Sequence, residues 1–325
     1  MPSTRPPVMA DVARLAGVSH MTVSRVLNGN PSVSGDTRQR VLEAIDTLGY
    51  RRNETARALA SRRSGVVGVL AVESALFGPA STLYAIERAA RAAGYSVSIT
   101  TPDPDAADPM AEALDRLLRL GVAGLVAIAP RVGDVDALRH LPEDVPTVVV
   151  EGGEGLGHPV VAVDQEAGAF AAATHLLERG AERVWHVAGP DDWFEARARV
   201  AGWRRAVGRK APPPIAGDWS AASGHAIGTT LDVRPGDAVF VANDQMALAL
   251  LHAFHERGLR VPADVLVAGF DDTPESAYFT PPLTTVRQDF AAVGAAAIEV
   301  LLAPDVSASK LVVPELVVRA SSGSS

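Results

Sequence analysis

A chain of 325 residues is longer than one hydrophobic core usually holds, so two or three domains are expected. Its 47% hydrophobic content is that of a globular chain, and the absence of cysteine excludes disulfides, thiolate metal sites and thiol catalysis. No apolar run reaches the ~20 residues of a membrane helix, and no apolar segment follows Met1–Arg5 as a secretory leader would require, so a cytoplasmic protein without a membrane partner is expected. The formal charge of −8 is uneven. Up to residue 65 ten arginines face five acids, about +5, which leaves about −13 for the rest. A basic head on an acidic body points to a polyanion-binding module, or merely to a solvated basic surface.

The head carries short helical patterns. Residues 9–16 place Val12, Ala13, Leu15 and Ala16 at helical spacing, and Gly17 ends the helix. Ser19 is a natural N-cap for a second helix over 20–27, which Asn28-Gly29 terminates. Ser34 caps a third, with Val41, Leu42, Ile45 and Leu48 as its buried stripe and Gly49 as its stop. Asn53 can cap a stretch over 54–60 that is too short to be a stable helix alone.

From Val66 strands and helices alternate. Strands are expected over 66–72, 95–100, 123–129, 147–150, 183–188, 239–242, 265–270 and 311–318. Helices are expected over 81–93, 111–120, 166–178, 194–207, 245–257 and 290–302, and 320–325 reads as a flexible tail. Repeated βα units with continuous apolar strands imply parallel sheets flanked by helices, and two such runs imply two α/β subdomains.

Ala13, Gly17 and Val23 have the spacing of a helix-turn-helix: a small residue at the crossing, a glycine in the turn, and an apolar residue closing the second helix. That helix turns His20, Met21, Thr22 and Arg25 outward, where a DNA groove could be read. Elsewhere the signals are weak. Gly152-Gly153-Glu154-Gly155-Leu156-Gly157 precedes a strand and reads as a loop, not a phosphate cradle. His252 and His255 lie at i, i+3 on a helix and read as a solvated face, so no metal is expected. No G-x-S-x-G, H-E-x-x-H or P-loop pattern is present.

Ala10-Asp11-Val12-Ala13-Arg14-Leu15-Ala16-Gly17-Val18-Ser19 with Thr22-Val23-Ser24-Arg25-Val26-Leu27-Asn28 resembles the head of the LacI/GalR family. Leu48-Gly49-Tyr50, Asn53 and Ala56-Arg57-Ala58-Leu59 resemble its hinge. Ala201-Gly202-Trp203, Gly217-Asp218-Trp219-Ser220-Ala221, Val241-Ala242-Asn243-Asp244-Gln245-Met246-Ala247-Leu248, Pro281-Pro282-Leu283-Thr284-Thr285-Val286 and Gln288-Asp289-Phe290 extend the resemblance over nearly the whole chain.

The resemblance implies an α/β protein with an all-α helix-turn-helix head over 1–50 and a hinge helix and linker over 51–64. A two-lobed, periplasmic-binding-protein-like body with parallel sheets would fill 65–325, its first lobe about 65–163 and 290–312, its second about 164–289 and 313–320. It implies a ligand-controlled transcriptional repressor, not an enzyme, that needs no cofactor. Ser19, His20, Met21, Thr22, Arg25 and Asn28 would serve the major groove, and Asn53, Ala56 and Leu59 the minor groove, with Leu59 as a wedge or else a plain linker residue.

In the body, Arg199, Asn243 and Asp271 would bind sugar hydroxyls, and Trp219 and Phe290 would cover the ring. Leu76 and Pro79 would form the apolar wall. Each also has an ordinary reading. Arg199 fits a surface salt bridge, Asn243 and Asp271 fit turns, Trp219 fits core, and Phe290 simply opens an apolar helix. Departures are visible: His20-Met21 replaces a Tyr-Gln pair found in the family, Glu151, which would also bind the ligand, replaces an aspartate, and Val163 a phenylalanine. The absence of a leucine-heptad tail favours a homodimer over a tetramer.

The expected function is thus a homodimeric repressor of a sugar-utilisation operon, released from palindromic double-stranded operator DNA by a β-galactoside-like glycoside. A sugar-binding protein, a co-repressor-dependent regulator and an α/β sugar-processing enzyme are the alternatives. No nucleophile and base are found for the last.

Overall fold

The computed structural model describes residues 7–27, 29–50, 64–72, 76–103, 105–129, 131–134, 138, 145–152, 157–303 and 309–323. Asn28, Asn53, Ala56 and Leu59 lie outside the described residues. The chain forms two compact units, Met1–Ser64 and Gly65–Ser325.

The first unit holds α1 (Met9–Ala16), α2 (His20–Leu27) and α3 (Gly35–Leu48). Gly17 ends α1 in the left-handed region, at φ +65°, and Val18 N–H closes the turn on the Ala13 carbonyl at 3.0 Å. Ser19 Oγ accepts from Thr22 N–H at 3.1 Å and starts α2. Val12, Ala13, Ala16, Val23, Val26, Val41, Ala44 and Tyr50 form one core. Leu42, expected inside, is exposed. At about 100° per residue Ala44, Ile45 and Leu48 fall on the Val41 face, and Leu42 points about 100° away from it.

The second unit is an α/β body of two lobes. The first lobe has a parallel six-stranded sheet in the order β11-β5-β4-β3-β1-β2. Its strands are β1 (Val66–Ala71), β2 (Ser96–Thr100), β3 (Gly124–Ile128), β4 (Thr147–Val150), β5 (Val160–Val163) and β11 (Lys310–Val312). α4 (Phe77–Ala92), α5 (Pro109–Arg119) and the later α10 (Phe290–Leu302) cover it. The second lobe has a parallel four-stranded sheet in the order β7-β6-β8-β9. Here β6 is Arg183–Ala188, β7 Ile215–Ala216, β8 Asp237–Val241 and β9 Val265–Ala268. Its helices are α6 (Gln165–Glu178), α7 (Phe194–Val207), α8 (Ala221–Thr230) and α9 (Asp244–Glu256). An antiparallel pair, β10 (Thr285–Arg287) with β12 (Glu315–Val317), adjoins it.

Several expectations change. α4 starts at Phe77, four residues early, because Pro79 sits in the first turn, where its missing N–H costs nothing. The strand expected over 311–318 breaks at Pro314 into β11 and β12, which join different sheets. β5, β7, β10 and α8 were not expected: the strands are two to four residues long, and α8 is rich in glycine, threonine and alanine with little periodicity.

The tail expected to be flexible over 320–325 is anchored at Ser321 and Ser322, while 324–325 lie outside the described residues. Ser321 and Ser322 are fully buried. Ser321 Oγ donates to the Val267 carbonyl at 2.7 Å and accepts from Thr284 N–H at 2.8 Å. Ser322 Oγ meets Thr284 Oγ1 at 2.6 Å and His175 Nε2 at 2.8 Å. The Ser321 hydroxyl thus satisfies two backbone groups that burial removes from water, and the Ser322 hydroxyl joins two side chains.

Candidate functional site

Two surfaces stand out. On the head, the outer face of α2 presents His20, Met21 and Arg25, with Ser19 and Thr22 at its start. Met21 is 63% exposed although apolar. Thr22 and Ser19 hydroxyls bond to each other at 2.8 Å, which fixes the helix entry. A basic, mostly polar helix face with one exposed apolar side chain suits a major groove, where arginine reads guanine and an apolar tip meets thymine methyl.

The second surface is the cleft between the two lobes of the body. It is built where sheet strands end, the usual ligand position in α/β sheets. Leu76, Phe77, Gly78 and Pro79 line it from the first lobe. Trp193, Glu195, Arg199, Trp219, Asn243, Gln245, Asp271 and Gln288 complete it. Val132 N–H bonds to the Asp192 carbonyl at 2.8 Å across the lobes. Side chains nearly fill the cleft, leaving a cavity of about 20 Å³, the size of one water. A larger ligand therefore has to part the lobes or move these side chains.

Arg199 is not a surface residue: it is 2% exposed. Its Nε donates to Gln165 Oε1 at 2.9 Å, and its Nη1 donates to the Ala242 carbonyl. Its guanidinium lies 3.9 Å from the Phe270 ring centroid and 5.4 Å from that of Trp219. The remaining Nη2 stands 3.7 Å from Glu195 Oε2 and 3.8 Å from Asp271 Oδ1. Those are ion-pair distances beyond hydrogen-bond reach.

Polar side chains link these groups. Gln288 Nε2 donates to Asp271 Oδ1 at 2.7 Å, and Gln165 Nε2 donates to Gln288 Oε1 at 2.8 Å. Glu151, at the end of β4, accepts from Val163 N–H at 3.3 Å and Gln165 Nε2 at 3.4 Å. It backs the cleft rather than lining it. Burial pushes Asp271 up to about 8, against the attraction of Arg199. Burial first, then repulsion from Glu195, pushes Glu151 up to about 8. Glu195 is also raised by burial and held down by Arg199. Three carboxyls thus crowd one guanidinium, too few positive charges to ionise them all cheaply.

Trp219 is held at φ +71°. Its carbonyl accepts from Asn243 Nδ2 at 3.0 Å, while Asn243 Oδ1 caps α9 through Met246 N–H at 2.9 Å. Asn243 therefore positions Trp219 and α9 with half of its bonding capacity, one N–H and one oxygen lone pair, and keeps the other half for the cleft. The Trp219 ring packs edge-on against Trp193, centroids 5.5 Å apart, and over Gly189, where any Cβ would overlap it. Its buried Nε1–H has no hydrogen-bond partner among the described residues.

Leu76, Pro79, Arg199, Trp219, Asn243 and Asp271 are thus brought together. Phe290 is not among the cleft-lining residues. Its ring meets Phe77 edge-on at 5.8 Å and borders a hollow of about 580 Å³ between the outer faces of α4 and α10. The start of an apolar helix, its ordinary reading, is where it sits. Trp193, Glu195, Gln165, Gln245 and Gln288 were not expected. Only Glu195 had a local signal, four residues before Arg199 on one helix face.

The cleft offers carboxyl acceptors, the Arg199 and Trp219 donors, aromatic faces and an apolar wall. Its lining contains no serine, histidine or lysine among the described residues. No helix of the described residues is long and apolar enough to cross a membrane.

Comparison with known proteins bears on both surfaces. The family described as bacterial regulatory proteins, lacI family, matches residues 8–53, and the periplasmic binding protein-like domain matches residues 173–322. The lactose operon repressor of Escherichia coli K12 is 36% identical over 306 residues, 92% of this chain and 84% of that one. The crystal structure of the lac repressor dimer bound to operator and the anti-inducer ONPF superposes with a TM-score of 0.87 at 34% identity, covering 98% of this chain and all of that one. A complex of the transcriptional regulator CelR with cellobiose reaches a TM-score of 0.69 at 28% identity, over 97% and 99% of the two chains. A likeness that runs through head and body alike has one consequence: the chain belongs to the lacI family of bacterial regulatory proteins, as a DNA-binding transcriptional repressor and not an enzyme.

Proposed function

We propose that this repressor acts in the cytoplasm as a homodimer on a palindromic double-stranded operator of a sugar-utilisation operon. A neutral glycoside of the β-galactoside type, bound in the cleft, releases it. The observation that carries the ligand class is the unpartnered indole N–H of Trp219 beside Arg199, Glu195 and Asp271. A ligand must accept from the donors, donate to the carboxyls and lay an apolar face on aromatic rings. Hydroxyls on a pyranose do all three. An anionic ligand would find Arg199 as its one cation here, and any of the neighbouring carboxyls that ionises would oppose it.

The outer face of α4 and α10, mostly alanines with exposed Tyr84, half-buried Phe290, and Ser81 and Arg88 among them, is suited to cover by a second copy. The lac repressor, seen as a dimer on operator, supports that pairing. Two heads would then read two half-sites. Because the cleft is almost filled, a sugar favours a different lobe arrangement, and it shifts the DNA-binding equilibrium by its differential affinity for the two. The likeness to the lactose operon repressor supports a β-galactoside or a related glycoside.

A gel shift of the full chain on DNA upstream of its own gene, titrated with β-galactosides, cellobiose and a sugar phosphate, tests this. Release by a neutral glycoside and indifference to the phosphate are expected. A complex that tightens with sugar would make the ligand a co-repressor, and release by the phosphate alone would overturn the ligand class.

A further inference from the structure

We propose a divalent transition-metal site on the second lobe, formed by His225 of α8 with His252 and Glu256 of α9 and suited to Zn²⁺. One ligand atom from each of the three residues lies within 4.8 Å of the others. His225 Nε2 is 2.9 Å from Glu256 Oε2, and His252 Nε2 is 3.4 Å from Glu256 Oε1. A tetrahedral ion with bonds near 2.0 Å sets neighbouring ligand atoms about 3.3 Å apart. The two distances run to different oxygens of the Glu256 carboxylate and both lie near that value, so side-chain rotations that turn the imidazoles onto a shared ion complete the site.

The sequence hides this cluster. His252 and Glu256 share one face of α9 at i, i+4, but His225 comes from another helix. Gly224 and Gly228 bring the helices together. A Cβ at Gly224 would strike the Met246 backbone, and one at Gly228 would crowd Leu250 and Ala253. This close approach sets the His225 and His252 rings 5.8 Å apart at 33°.

Two imidazoles and a carboxylate form a borderline donor set that suits zinc better than magnesium or calcium. All three side chains are 40–63% exposed, which leaves an entry path and an open fourth position. The neighbouring His255, also exposed, is not part of the triad. An ion here clamps α8 to α9 and so stabilises the second lobe.

The test is calorimetric titration of chelator-treated full-length protein with Zn²⁺, alongside thermal melts with and without the ion. Variants are His225→Ala, His252→Ala, Glu256→Gln and, as control, His255→Ala. Binding of an ion with micromolar affinity, a raised Tm, and a loss of roughly tenfold or more in affinity for each triad variant are expected. The His255→Ala control is expected to match wild type. No binding at roughly 100 µM Zn²⁺ would overturn the proposal, because an affinity that weak leaves almost no clamp at realistic ion levels. So would affinity unchanged by either triad histidine, or lost equally in the control. A triad variant that melts early is judged by the ion's effect on its own Tm: a shift as large as in wild type counts against the site.

Discussion

Asp271→Asn isolates a charge that the cleft suppresses. Asp271 is buried past the end of β9 at φ +115°, with Gln288 donating to its Oδ1 at 2.7 Å. Burial pushes its carboxyl from 3.8 to about 8. The folded chain therefore keeps a proton that the unfolded chain releases above about pH 4. A carboxyl raised in this way contributes stability that is whole below about pH 4 and is lost as pH rises toward 8. One proton difference changes stability by at most about 1.4 kcal/mol per pH unit, so between about pH 6 and 8 the loss from this group is bounded near 2.7 kcal/mol. For a body of this size each kcal/mol shifts Tm by about 2–4 °C, so wild type falls by at most about 5–10 °C over that range. Glu151, also raised to about 8, acts with the same sign through the shared glutamine network, so some slope persists without Asp271. Asparagine accepts from Gln288, tolerates positive φ and does not titrate. The expected result is a visibly flatter Tm–pH curve for Asp271→Asn, relatively more stable near pH 8, by circular dichroism of ligand-free protein. Parallel curves for the two proteins would refute the argument.

Three further outcomes are expected. Arg25→Ala, on the exposed face of α2, weakens operator binding by about 1–3 kcal/mol more than binding to random DNA, measured by gel shift; equal losses would reduce Arg25 to a phosphate contact. Arg199→Ala leaves buried carboxyls without their cation and lowers body stability by about 3–5 kcal/mol in urea unfolding; a near-neutral change would show that the cluster does not need it. Gly189→Ala drives a methyl into the Trp219 ring, so sugar-dependent release and the tryptophan fluorescence response are lost while DNA binding stays; an unchanged response would contradict the ring's placement.

The head was legible because its signals act within one turn of chain. Gly17, Ser19 and Ser34 mark helix ends by local backbone chemistry, and the spacing of Val12, Ala13, Val23 and Val26 sets the faces that meet. In the body, long apolar strands such as β1, β3 and β8 declare themselves, because a strand buried on both faces needs a continuous apolar run. Arg199, Trp219 and Asp271 were reachable from the family resemblance and the strand-end rule together.

Tertiary structure alone decided the rest. β7 and β10 are too short to carry a period and exist because β6 and β12 pair with them. Gln165 and Gln288 join 123 residues apart, and His175 meets Ser322 across 147, so no local pattern could announce the polar network or the anchored tail. Phe290 has the right residue type for a sugar site yet borders an outer hollow, and Asn243 lines the cleft while committing half of its amide bonding to a helix cap and the Trp219 carbonyl. His225 joins His252 and Glu256 only because two glycines let the helices touch. Residue type and local spacing decide which elements form; which side chains share a site depends on contacts between distant segments, and those are set only when the chain has packed.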